Sequence, residues 1–279
     1  MFETSLRELI EEYKENPVDL LGIGDEAAEY EYLVNASLSY QRTINDVSAV
    51  SGNLLRDGGI AVKVLEIGAY LGVVSLYLAR SGFDVAALDI PEFMQNACLR
   101  KRYEDAGVEC LAANLGDYVI PAEDNSYDLV IMCETLEHLN FNPVPVMLEV
   151  NRVLKTGGKL YLSLPNLASL VNRAKLLLGR SIHNPVDDFF QQLGDDSNML
   201  VGVHWREYAG NELVELVRRT GFHVDQHYYF TTHRPSLPAK LIYRLLPTTR
   251  PNHTVFATKT ESMVGRYEYR RLMQYSKVG

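Results

Sequence analysis

Cysteine is scarce in this 279-residue chain: there are three, Cys98, Cys110 and Cys133, and their spacing matches neither a metal ligand set nor a redox pair. An odd number fits free core thiols in a reducing compartment better than a disulfide framework. Long apolar runs are missing as well. No stretch approaches the roughly 20 residues of a membrane-spanning helix, and the opening MFETSLRELIEEYKENP is an acidic amphipathic helix rather than a signal peptide. A cytoplasmic location is expected. Basic residues are outnumbered, 27 Lys and Arg against 36 Asp and Glu, for a formal charge of -9. Nucleic acid is therefore not an expected partner, because phosphate binding without sequence preference relies on clustered Lys and Arg. Repeats, low-complexity tracts and Gly/Ser linkers are absent too, so the length is read as one α/β domain with insertions.

What the chain does contain is a change of rhythm near residue 62. Before it, apolar residues recur at helical spacing over 6–15, where Pro17 ends the helix, then over 26–35 and 39–55. After it, short apolar runs alternate with helical ones. That pattern predicts parallel strands with crossover helices at 62–67, 84–88, 110–113, 129–133 and 159–164, with a later pair at 223–231 and 253–258. The expected organisation is a helical cap over 1–60, a main domain over 61–260 and a basic, tyrosine-rich tail over 261–279. Two stretches, 166–203 and 233–252, interrupt the alternation after strand ends, where insertions border the ligand crevice and set substrate choice.

The first strand runs into VLEIGAYLGVVSLYLARSG, a glycine-bearing turn followed by a helix expected from about Leu71. Gly68 can adopt backbone angles closed to other residues, and Gly72 lets a ligand approach the helix N-terminus. Plain turn glycines would look the same. The next strand ends on Asp89, about twenty residues further on, where a carboxylate can accept hydrogen bonds from both hydroxyls of a ribose or else cap the following helix. A nucleoside-containing cofactor is the leading reading. A dinucleotide oxidoreductase is disfavoured, since its G-x-G-x-x-G pattern needs three glycines where this turn has Gly68 and Gly72.

From about 62 to 259 the chain resembles the class I S-adenosylmethionine-dependent methyltransferases, and five motifs in order carry the likeness. LEIGAYLG resembles the family's first motif, with Glu66 placed toward the methionine amino group. ALDI supplies the ribose acid, Asp89. AANLGD resembles the adenine segment, with Asn114 at the exocyclic amine and Leu115 offering its amide. DNSYDLVIMCETLEHL and EVNRVLKTGGKLYLSLPN match the fourth strand and the hairpin into the fifth, and HWREYAGNELVELVRRTGF resembles the late helix. Two positions depart from the pattern: Tyr70 replaces a common glycine and Asn114 a common acid. The resemblance implies a Rossmann-like, seven-stranded, mostly parallel sheet with helices on both faces, with S-adenosyl-L-methionine as cofactor. It implies cofactor contacts from Glu66, Gly68, Tyr70, Gly72, Asp89, Asn114, Leu115 and Cys133.

Methyl transfer from a sulfonium needs positioning and sometimes a base. The tip of the fourth strand delivers Cys133, Glu134, Glu137 and His138, and a helix beginning there would set Glu134 and His138 four apart on one face. Three readings stay open. His138 is a general base oriented by Glu134 or Glu137; or Glu134, Glu137 and His138 bind a divalent metal with His204, as in the similar Glu-x-x-Glu-His clusters of ubiquinone-type and small-RNA O-methyltransferases; or these residues only cap and hydrogen-bond. A metal-independent enzyme is the favoured expectation. Glu137, His204 and Arg206 are the candidate substrate contacts, with anchoring of the late helix as the alternative for the last two.

LPAKLIYRLLP reads as a short basic amphipathic helix that can lie on a membrane or a lipid-like substrate, although covering the sheet edge or a second subunit is expected of barely two turns. The tail is read as a solvated end or a homodimer contact. The expected activity is methylation of a hydroxyl, with an amine second, on a small polar molecule such as a sugar or natural-product intermediate. The rival from another class is a non-catalytic S-adenosylmethionine-binding scaffold.

Overall fold

Seven strands make one sheet: β1 (Lys63–Ile67), β2 (Asp84–Asp89), β3 (Glu109–Ala112), β4 (Tyr127–Cys133), β5 (Leu154–Pro165), β6 (Phe222–Phe230) and β7 (Asn252–Lys259). Their spatial order is β3-β2-β1-β4-β5-β7-β6. The pairs from β3 to β5 are parallel, and β7 runs antiparallel to both β5 and β6. This computed structural model describes residues 5–18, 26–54, 61–191 and 202–267.

Among the described residues ten helices accompany the sheet: α1 (Leu6–Glu15), α2 (Glu26–Leu54), α3 (Val73–Arg80), α4 (Pro91–Met94), α5 (Ala97–Ala106), α6 (Pro143–Val153), α7 (Leu170–Leu177), α8 (Val186–Gln191), α9 (Gly210–Arg219) and α10 (Leu237–Leu245). Strands covered on both faces need apolar residues at every position rather than alternate ones. Val64 faces a core with Leu33, Ile44, Leu76 and Leu99, while Leu65 and Ile67 face a second core with Val146, Val150, Leu213 and Val217. Burying each such side chain contributes about 2 kcal/mol. The N-terminal helices therefore belong to the first core rather than trailing from it.

Two expectations change. Helices expected at 26–35 and 39–55 are one continuous α2, because no Gly or Pro interrupts 36–38. α3 begins at Val73 rather than Leu71, since Gly72 takes left-handed angles (φ 77°) as its N-cap. α10, expected to cover the sheet edge or a second subunit, buries none of its residues fully and half-buries Ala239, Ile242 and Tyr243. Most of the tail expected over 261–279, and 192–201 of the first insertion, lie outside the described residues.

Candidate active site

At the carboxyl end of β1 the chain turns sharply, and Gly68, Tyr70 and Gly72 all have positive φ, at 74°, 50° and 77°. The amides of Gly68 and Ala69 both donate to Leu88 O, at 2.9 and 3.2 Å, which ties the turn to β2. A Cβ on Gly68 would lie 2.2 Å from Thr135 Oγ1, and one on Gly72 would lie 2.3 Å from the Tyr103 hydroxyl. Gly72 is thus demanded by its backbone angles and by Tyr103, 31 residues away, a reason that stands beside the expected ligand approach.

Glu66 is buried and caps α3, accepting from Ser75 N at 2.9 Å and from the Ser75 hydroxyl. Burial pushes its carboxyl up to about 7 against those hydrogen bonds. Asp89 accepts from Tyr70 N at 2.6 Å on one oxygen and from Ile90 N at 2.7 Å on the other. It lies deep yet keeps open surface, and desolvation raises it to about 7. Each oxygen keeps a second lone pair, so the pair fits two ribose hydroxyls. Asn114 turns its side-chain oxygen onto Gly116 N at 2.8 Å, capping the short turn Leu115–Asp117.

The roof comes from α2, which the sequence pattern did not single out. Tyr32 meets Tyr70 edge-on at 5.7 Å, and Tyr70 meets Phe93 at 5.1 Å. Tyr40 is pushed well above its ordinary value by burial, with Tyr32, Glu66 and Glu134 among the charges acting on it. Cys133 Sγ lies 3.4 Å from Thr43 Oγ1 on the same helix, and burial raises the thiol. The tyrosine-rich run EYEYL was the available signal.

Beyond β4 no regular helix begins. Glu134 takes φ 48°, and Leu136–His138 is a single tight turn, so the expected helical face of Glu134 and His138 does not form. The side chains nevertheless converge. Glu137, His138 and His204 each offer a ligand atom, and these atoms lie within 4.8 Å of one another. Main-chain bonds bring His204 there: Trp205 N and Arg206 N both donate to Glu137 O, at 2.8 and 3.2 Å. His138 Nδ1 bonds Val203 O at 3.1 Å, and His204 Nδ1 lies 3.4 Å from Glu207, itself held by Asn172 on α7 at 2.9 Å. With Nδ1–H donating, Nε2 of each ring keeps its lone pair. Val203, Glu207 and Asn172 are positioning residues that spacing alone could not reveal. Arg206 turns away, pairing with Glu212 at 3.0 Å and stacking on Tyr208.

Glu137 is fully buried, and neither of its oxygens has a hydrogen-bond partner among the described residues. Burial, then the charge of Glu134, raises it well above the carboxylate range, and burial takes Glu134 to about 7. His138 falls to about 4, through burial first and then His204. One carboxyl group and two oriented imidazoles, their ligand atoms close together, fit a divalent cation.

Residues 65–162 match the family model described as a methyltransferase domain. They are a class I S-adenosylmethionine-dependent methyltransferase domain. S-adenosylmethionine is the cofactor of such a domain, and Glu66, Asp89 and the α3 N-terminus lie within the matched span or at its strand ends. The chain is 33% identical over 105 residues to a ubiquinone biosynthesis O-methyltransferase of Xanthomonas oryzae pv. oryzae, covering 37% of this chain and 43% of that protein. It therefore spans less than half the length of the curated relatives it matches. Among solved structures, a SAM-dependent methyltransferase from Thermotoga maritima aligns with TM-score 0.51 and 17% identity over 90% of this chain and 99% of that one. The cyclase SpnF aligns with TM-score 0.50 and 17% identity over 78% and 82%. At such identities the likeness shows the methyltransferase fold alone. No helix among the described residues is long and apolar enough to cross a membrane.

Proposed function

We propose that the chain is an S-adenosylmethionine-dependent O-methyltransferase acting on a hydroxyl of a small polar molecule, with an amine as the second acceptor class. The observation that carries this reading is the bare Glu137 carboxyl beside His138 and His204. A sugar or natural-product intermediate suits so polar an acceptor site. The S–CH₃ bond breaks as the O–CH₃ bond forms, adenosylhomocysteine leaves, and the acceptor hydroxyl's proton passes to solvent water. Asp89 holds the ribose, Glu66 stiffens the α3 N-terminus beside the methionine end, and Tyr70 with Tyr32 closes the roof.

The expectation of a metal-independent general base fits this cluster less well. A histidine held near 4 is a weak base at neutral pH, where efficient proton transfer asks for a value near 7. Glu137, His138 and His204 would hold a divalent ion, which supplies a Lewis acid that polarises the hydroxyl and favours its ionised form. Its presence would also make Glu137 an anion rather than a neutral acid.

The test is transfer of labelled methyl from S-adenosylmethionine to a metabolite extract, with a thermal-shift control. Adenosylhomocysteine is expected to raise the melting temperature, because a ligand of the folded state alone stabilises it by mass action. Labelled product on an oxygen supports the reading. Cofactor binding without any transfer would favour the scaffold alternative, and stabilisation by NADH instead would overturn both.

A further inference from the structure

The second insertion and the opening part of the first, ahead of Asp187 and Asp188, carry a charge opposite to that of the chain. Residues 166–185 and 232–252 hold seven Lys and Arg and no carboxylate, in a protein of net charge -9. Both stretches spring from one corner of the sheet. Asn166, 1% exposed, donates through its side chain to Thr248 O at 2.9 Å and Arg250 O at 2.7 Å, stitching the root of α7 to the end of the α10 segment.

Each helix leaves its leucines bare. On α10, Leu237, Leu241 and Leu245 recur every four residues along one stripe, 84%, 60% and 70% exposed, with Lys240 and Arg244 between them. At the end of α7, Leu177 and Leu178 are 87% and 71% exposed beside Lys175 and Arg180. These four cations form no ion pair among the described residues, unlike Arg80, Arg152 or Lys159, and share that with other exposed cations such as Arg7 and Arg218.

We propose that α7 and α10 together dock this face of the protein on an anionic lipid bilayer. Contiguous bare leucines at this exposure mark a contact surface. Interleaved cations with no internal partner specify a negatively charged one, each contributing where lipid head groups are anionic. A second copy of the chain is a poor occupant, because a two-fold contact would bring the same cations face to face. Two short helices rooted at one point give two footholds where barely two turns give one.

Co-sedimentation of the full chain with vesicles tests this without cofactor or acceptor, so the outcome is independent of methyl transfer. Binding is expected to phosphatidylcholine vesicles containing phosphatidylglycerol, weakly if at all to phosphatidylcholine alone, and to fall as salt shortens the screening length from about 10 Å toward about 3 Å. The double variant Lys240→Gln/Arg244→Gln is expected to weaken binding by at least about tenfold. Leu241→Ser/Leu245→Ser is expected to weaken it comparably, with melting temperatures unchanged because all four side chains are exposed. Absence of vesicle binding by the folded wild-type chain overturns the proposal, as does binding that survives both doubles. Sedimentation velocity without lipid supplies the remaining arm: a wild-type dimer that the leucine double dissolves would assign the face to a second copy instead.

Discussion

The two ends of the crevice treat their buried carboxylates in opposite ways. On the cofactor side, Glu66 sits under Ser75 N, and Asp89 sits under the amides of Tyr70 and Ile90. On the acceptor side, neither Glu137 oxygen meets a backbone or hydroxyl donor among the described residues, and the charge of Glu134 beside it adds repulsion. A carboxylate satisfied by backbone amides is part of the scaffold. One left bare costs on the order of 1–3 kcal/mol in unmet hydrogen bonding, and such a cost is retained where a ligand completes the group. On the proposed reading, the first half-site is finished by folding and the second by binding.

The largest effect that sharpens this contrast is expected at Glu137. Glu137→Gln should lower methyl transfer by at least about a hundredfold, while leaving adenosylhomocysteine affinity intact. In metal-depleted protein it should not lower the melting temperature, since no satisfied interaction is lost. A variant that melts much earlier would show that Glu137 is scaffold after all. Gly72→Ala should break the other half through folding: strain at φ 77° plus overlap with Tyr103 costs about 2–4 kcal/mol in urea unfolding. Unchanged stability with lost cofactor affinity would leave ligand approach as the reason for that glycine.

A smaller effect concerns pH. Hydroxyl donors favour the ionised form of Asp89, so adenosylhomocysteine should lower its value from about 7 and release a proton on binding. Affinity should then rise with pH up to about 7 and level off above it, by at most about tenfold per unit for one proton, and calorimetry in two buffers of different ionisation heat would count that proton. In the free protein the sign reverses for stability. Glu66 and Asp89 hold protons in the folded state that the unfolded chain has lost, so their stabilisation fades as pH rises from the ordinary carboxylate range through about 7. Asp89→Asn should flatten the affinity profile. The smallest change is expected for Asn114→Ala, which removes a turn cap worth about 1 kcal/mol and should weaken adenosyl binding only modestly.

Much of the sheet was legible because its strands are covered on both faces and so read as unbroken apolar runs, as in KVLEI and DLVIM. Of the late pair, β7 is mostly buried, whereas β6, FHVDQHYYF, keeps an open face and was legible from its aromatic and β-branched residues. The long α2 was not, since polar Asn35, Ser37 and Ser39 looked like a break although nothing there stops a helix. The grouping of Glu137, His138 and His204 could be read from residue types, yet through the wrong local geometry: the left-handed Glu134 and a tight turn converge these side chains, not a helical face. What spacing could not show is contact across the chain, as when Tyr103 fills the space at Gly72 or Asn172 on α7 orients Glu207 and through it His204. The exposed leucines of α10 depend on what fails to cover them, which no local pattern records.

Divalent-ion binding measured directly is the sharpest test of the claim that the acceptor half is completed by a ligand. Calorimetric titration of metal-depleted protein with Mn²⁺, in the presence of adenosylhomocysteine, should show one ion bound per wild-type chain and none in Glu137→Gln. Stoichiometric binding that the substitution leaves unchanged, or no binding by folded wild-type protein, would contradict it.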